Sequence, residues 1–298
     1  MRTTFKLAAT CLIAAGLAQP VLAQESPTLQ KIKASGSIAL GHRESSIPFS
    51  YYDDKQQVVG YSHELMLKVV DAVKAELKLP NLAVKLTPVT SQNRIPLVQN
   101  GTIDIECGST THNSERARQV AFSNTIFIIG TRLMTKKDSG IKDFPDLAGK
   151  NLVTTAGTTS ERLVRKMNDD KKLGMKIISA KDHGEAFLTL ETGRAVAFMM
   201  DDALLYGEMA KARKPADWTV VGTPQSFEAY GCMMRKDDPG FKKVVDAALA
   251  KAMTSGEAEA IYKKWFTQPI PPKGLNLNFP LSDAMQKLYK APNDKAFE

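Results

Sequence analysis

Long apolar runs are scarce in this 298-residue sequence. Beyond the first two dozen residues, nothing approaches the roughly 20 consecutive apolar residues that a membrane-spanning helix needs. Cysteine is scarce too, three in all, and the four histidines stand far apart. There is no CxxC pair, so no metal-ligand spacing is present and no metal or cofactor is expected. GxSxG and Walker-type motifs are missing, and with them the signatures of serine-hydrolase and nucleotide chemistry. Internal repeats and low-complexity tracts are also missing. The net charge of +8 is not gathered into a stripe. Lysines alternate with acids, as in "NDDKKLGMK" and "MRKDDPGFKK", which is the pattern of solvated faces rather than of a nucleic-acid surface. A mild positive potential still favours the arrival of small anions.

The apolar exception is the start. Residues 1–23, "MRTTFKLAATCLIAAGLAQPVLA", carry Arg2 and Lys6, an apolar core, then Val21 and Ala23 ahead of Gln24. This is the layout of a secretory signal peptide. Cys11 follows Thr10 and is itself followed by more apolar sequence, which argues against a lipid attachment site. Removing the segment lowers the net charge from +8 to +6. The roughly 275 residues left exceed one compact core, so two lobes are expected. Two cysteines remain, Cys107 and Cys232. In an oxidising compartment they can close a long loop; the alternative is two buried thiols.

Along the chain, "YSHELMLKVVDAVKAELKL" places Leu65, Val69, Val73 and Leu77 on one helical face beside Met66 and Val70, with Ser62 as a cap. Strand and helix patterns then alternate: "LAVKLTPV", "RIPLVQNG", "TIDIEC". A long apolar strand, "FSNTIFIIGTRLM", leads into a second alternating unit from "KNLVTTAGTTSERLVRKM" to "WTVVG". A further strand, "FEAYGCMMR", carries the chain back to two amphipathic helices separated by Ser255 and Gly256. The alternation predicts α/β lobes with largely parallel sheets, joined by two crossing strands that form a hinge. The tail reads as wrapping coil with one short helix near Ser282–Lys290.

Charged and hydroxyl residues cluster where strands give way to loops and helices, where α/β proteins meet ligands. Arg43 ends the first strand. Ser91 and Arg94 stand in "SQNR", Ser109 in "GSTT", and Arg116 seven residues on. In "AGTTSE", Thr158, Thr159 and Ser160 bring hydroxyls to a helix start, either as an anion site or as an ordinary N-cap. His183 and Asp201 also stand at helix starts, where capping is the alternative role.

Through "GHRESSIPFSYYD", "TSQNRIPLVQNGT", "ECGSTTHNSER", "SGEAEAIYKKWF" and "PIPPKGLNLNF", the chain resembles the periplasmic solute-binding proteins of polar amino-acid ABC transporters. More closely, it looks like the members that bind glutamate and aspartate in Gram-negative bacteria. The resemblance implies a two-lobed Venus-flytrap fold, monomeric and periplasmic, that captures L-glutamate and L-aspartate and delivers them to an inner-membrane permease. It implies that Arg116 takes the ligand α-carboxylate with Ser109 and Thr159, and that Asp201 takes the α-ammonium. Arg43 and Arg94, with Ser91 and His183 nearby, would take the side-chain carboxylate. Asn113 departs from the threonine that many members have three residues before the site arginine, so the loop there is expected to differ.

The charge inventory agrees, since two anions and one cation on the ligand need two cationic subsites and one anionic one. The lobes are expected at residues 24–127 with 227–298, and at 128–226, with Cys107 and Cys232 bonded near the hinge. Cyclohexadienyl dehydratases resemble these binding proteins, so a periplasmic lyase with His183 as acid or base is the alternative. A ligand-sensing domain uses the same fold, but no signalling domain is attached.

Overall fold

A computed structural model of the chain describes residues 26–296. The expected signal peptide, with Cys11, lies outside the described residues. Nine strands form one sheet: β1 (Ser37–His42), β2 (Ala83–Pro88), β3 (Ile105–Glu106), β4 (Ala121–Lys136), β5 (Asn151–Thr155), β6 (Lys176–Ala180), β7 (Ala197–Asp201), β8 (Trp218–Val221) and β9 (Phe227–Met234). The helices are α1 (Pro27–Ser35), α2 (Tyr61–Leu77), α3 (Arg94–Gln99), α4 (Ser114–Ala117), α5 (Thr159–Asp170), α6 (His183–Glu191), α7 (Asp202–Lys211), α8 (Pro239–Thr254), α9 (Glu257–Phe266) and α10 (Asp283–Lys290).

The strand order is β2-β1-β3-β9-β4-β7-β5-β6, with β8 also on β4. The pairs β1–β2, β1–β3, β5–β6 and β5–β7 are parallel. Strand β4 belongs to both halves of this sheet. From Ala121 to Gly130 it pairs antiparallel with β9, and from Thr131 to Thr135 with β7. The alternation read in the sequence is therefore present, and β4 and β9 are the two strands that cross between the halves.

Helix α2 buries Leu65, Met66, Val69, Val70 and Val73 as its periodicity predicts. Its cap is not Ser62. The helix begins at Tyr61 after Gly60 without a side-chain cap, and the Ser62 hydroxyl instead donates to the Gly108 carbonyl, 2.8 Å away. That bond ties α2 to the loop after β3, which carries part of the site. Phe49, Tyr61, Phe127, Tyr262 and Phe266 interlock edge-on and stacked beneath β4. The tail wraps back over this cluster. Ser282 caps α10, Tyr289 shares a hydrogen bond with Tyr61 at 2.8 Å, and Thr125 N–H donates to the Asn293 carbonyl.

Cys107 and Cys232 are bonded, with Cα atoms 4.3 Å apart and a sequence separation of 125. The bond lies where β9 pairs with β3, beside the Glu106–Met233 register position. Closing so long a loop restricts the unfolded chain. Replacing both cysteines by alanine is expected to lower stability by about 2–5 kcal/mol, read as a lower urea midpoint, and thiol titration of the denatured unreduced parent is expected to find no free thiol.

Candidate functional site: a cavity lined by buried arginines

The carboxyl ends of β2, β3, β5, β6 and β7 and the segments that follow them converge on one point. Arg94, Ser109, Thr111, Arg116, Thr158, Thr159, His183, Met200, Asp201 and Leu204 line a small cavity there. Six of the eight residues singled out in the sequence are in that lining. Arg43 and Ser91 are not. Arg43 is near enough to Arg94 and His183 for their charges to interact. Ser91 is buried, with its hydroxyl unpartnered among the described residues.

The three arginines are 1 % (Arg43), 1 % (Arg94) and 3 % (Arg116) exposed. Burial, and then the neighbouring Arg94, lowers Arg43 to about 10. Burial and the like charges of Arg94 and Arg162 lower Arg116 to about 9. All stay protonated at neutral pH. Arg116 is held from both halves, its Nη1 donating to the Thr111 carbonyl at 3.0 Å and its Nη2 to the Gly157 carbonyl at 3.2 Å. Arg94 Nη1 donates to the Ser109 carbonyl at 3.3 Å and to the Thr110 hydroxyl. Arg43 Nη1, Arg94 Nε and His183 Nε2 are buried with no hydrogen-bond partner among the described residues.

The helix starts separate capping from exposure to the cavity. Thr158 is the N-cap of α5 and accepts from Glu161 N–H, which frees Thr159 to donate to Glu228 at 3.0 Å and to lie 3.4 Å from Thr111. Asp182 caps α6. His183 is thereby left with Nδ1 against the Thr155 hydroxyl at 2.8 Å, and burial with Arg43, Arg94 and Lys211 holds its pKa well below 6.5. Asp201 occupies the N-cap position of α7 but makes no side-chain cap bond. It accepts instead from Thr131 at 3.2 Å, Ser160 at 3.4 Å and the Tyr230 hydroxyl. Asn113 caps α4, accepting from Arg116 N–H at 2.9 Å, so the departure noted in the sequence still supplies a cap.

Gly157 sits where the halves meet. With φ +77°, a Cβ there would come within 2.9 Å of the Gln92 backbone nitrogen, so only glycine allows this approach. Sequence reading missed Thr111, Tyr230 and Glu228. Thr111 belongs to the "GSTT" run already singled out; the other two lie inside a strand that reads as apolar.

Burial and then Glu228 raise Asp201 to about 7 from an ordinary 3.8. The folded chain therefore holds a proton between those values that the unfolded chain has released. Its stabilising share is fully present below 3.8 and is lost as pH rises through about 7. Asp201→Asn carries no such dependence. The melting temperature of the ligand-free variant is expected to gain on the parent between pH 5 and 8, read by scanning calorimetry; a constant gap would show Asp201 already ionised throughout.

Residues 38–268 match the family of bacterial extracellular solute-binding proteins, family 3. The chain is 66% identical to the L-glutamate/L-aspartate-binding protein of Pseudomonas aeruginosa over 100% of its own length and 99% of that protein. It is 66% identical to the glutamate/aspartate import solute-binding protein of Salmonella typhimurium over 90% of its length and 89% of that one. Among solved structures it matches an ancestral amino acid-binding protein, a precursor of cyclohexadienyl dehydratase, with a TM-score of 0.68 and 28% identity over 80% of this chain and 100% of the other. The large shared sheet, the two crossing strands and these similarities give one conclusion: the chain belongs to the bacterial extracellular solute-binding proteins, family 3.

Proposed function

We propose that this protein binds L-glutamate and L-aspartate in the periplasm and hands them to the permease of an ABC transporter. The observation that carries this reading is the set of buried nitrogens on Arg43, Arg94 and His183 that have no hydrogen-bond partner among the described residues. Guanidinium groups without acceptors are costly to bury, and a side-chain carboxylate supplies the missing acceptors with the right charge. Arg116, with Ser109 and Thr159, then takes the α-carboxylate, bidentate geometry being available to guanidinium and not to lysine. Asp201 takes the α-ammonium. Ser91 completes the side-chain subsite. The names of the two relatives above support the same ligands.

The lobes are residues 24–127 with 227–298, and residues 128–226. The site draws on both, and so does the ring of contacts around it. Ser45 donates to Asp182 at 3.3 Å and Gly184 N–H to Ser45 at 3.2 Å. Lys273 Nζ donates to the Lys211 and Ala212 carbonyls at 2.6 and 3.0 Å, at the end of α7. A ligand that touches both lobes favours their approach by its differential affinity for that state. The protein acts as a monomer, with no chemical step. A lyase reading would use His183 as an acid or base; the depressed imidazole pKa beside two arginines works against the acid role, and the relatives named above are binding proteins.

Titration calorimetry of ligand-stripped protein tests the reading. Micromolar or tighter binding of both acidic amino acids, −8 kcal/mol or better by the usual conversion, with L-arginine weak, is the expected result. Arg116→Ala is expected to cost about 2–5 kcal/mol, at least roughly thirtyfold in affinity. Unchanged glutamate affinity in that variant would remove Arg116 from the site.

A further inference from the structure

Glu106 has no part in the reading above, yet it lies beneath it. It is the last residue of β3 and is fully buried, 0 % exposed. Its backbone is fixed on both sides, parallel to Gly41 of β1 and antiparallel to Met233 of β9. Among the described residues it forms no ion pair within 4 Å. Its Oε2 accepts from the Thr110 hydroxyl at 2.7 Å, and that same hydroxyl accepts from Arg94 Nη1. Thr110 is therefore a relay between the carboxylate and one guanidinium.

The other oxygen faces Arg43. A Cβ added to Gly108 would stand 2.5 Å from Glu106 Oε1 and 3.0 Å from Arg43 Cγ. One glycine thus lets the carboxylate and the arginine stem crowd the same point, and Oε1 has no hydrogen-bond partner among the described residues. Of the charges that act on Arg94, Glu106 is the foremost, and it also opposes the repulsion that Arg94 exerts on Arg43.

We infer that Glu106 is a positioning residue that sets how much positive charge the Arg43–Arg94 pair presents, and so how strongly the site prefers a side-chain carboxylate to a neutral amide. This rests on the glutamate/aspartate reading. Two guanidinium groups confined together repel, and an interior carboxylate offsets part of that repulsion before any ligand arrives. It also lowers the pair's attraction for an incoming anion. An amide ligand carries no charge on its side chain and is nearly indifferent to the offset.

The test compares L-glutamate with L-glutamine by titration calorimetry on the parent, Glu106→Gln and Thr110→Val, each checked for native circular dichroism. Glutamine at position 106 can still accept from Thr110 but lacks the charge. Its preference for L-glutamate over L-glutamine is expected to widen by roughly tenfold, a change of ratio that a merely structural role would not produce. Thr110→Val keeps the charge but removes the hydroxyl that donates to the carboxylate and stands between it and Arg94, so the less screened charge opposes the guanidinium pair more strongly and the preference is expected to narrow. If Glu106→Gln does not fold, the Thr110→Val ratio decides: a narrowed ratio supports the inference and an unchanged one overturns it. A folded Glu106→Gln with the parent's ratio, or a narrower one, overturns it as well. A parent that binds neither acidic amino acid overturns the reading of the site, and this inference with it.

Discussion

Arg43, Arg94 and Arg116 stand almost wholly out of water, and that much like charge is tolerable only where fixed oxygens and opposing charges surround it. Most of the site's architecture answers this constraint. The Thr111, Gly157 and Ser109 carbonyls accept from the guanidinium groups, and all three lie in loops, where carbonyls are not consumed by strand pairing. The opposing charges come from strand positions instead. Glu106 ends β3, Asp201 ends β7 and Glu228 is the second residue of β9. A carboxylate on a strand is held by the register of its neighbours, so its distance from the cations does not drift.

The hydroxyl residues follow the same logic. Thr131, Ser226 and Thr159 link Asp201 and Glu228 into one chain of hydrogen bonds. Burial, and then the repulsion between two carboxylates so close, pushes Asp201 toward neutrality. The aromatic cluster under β4 carries none of this charge. It keeps the crossing strand seated on α2 and α9, and so fixes the floor on which the site's loops stand.

Much of this was legible in the residues because strand ends mark themselves. Arg43, Arg94, Ser109, Thr159, His183 and Asp201 each stand near the end of an apolar run or open a helix, and there a polar side chain interrupts the pattern. Glu106, Tyr230 and Glu228 were not legible as site residues for the opposite reason. They sit within apolar strands, and their partners are supplied by pairing between segments far apart in the chain: Glu106 with Met233 and Tyr230 with Asp201. Ser62 shows the limit of local rules. Its type and position fit a cap, but a buried carbonyl at Gly108 competes for the same hydroxyl and obtains it. The caps that were ambiguous in the sequence resolved one residue away, at Thr158 and Asp182, and that displacement leaves Thr159 and His183 free to face the cavity.

Strand β4 runs unbroken from Ala121 to Lys136 and is hydrogen-bonded to both halves along its length. A strand of that kind neither stretches nor slides without giving up its ladder, but it bends at little cost. Beside it, β9 enters at Phe227 opposite Gly130, where the partners of β4 change. The loops bearing Arg94 and Arg116 on one side, and Thr159 and His183 on the other, are therefore tied to one another through these two paired strands.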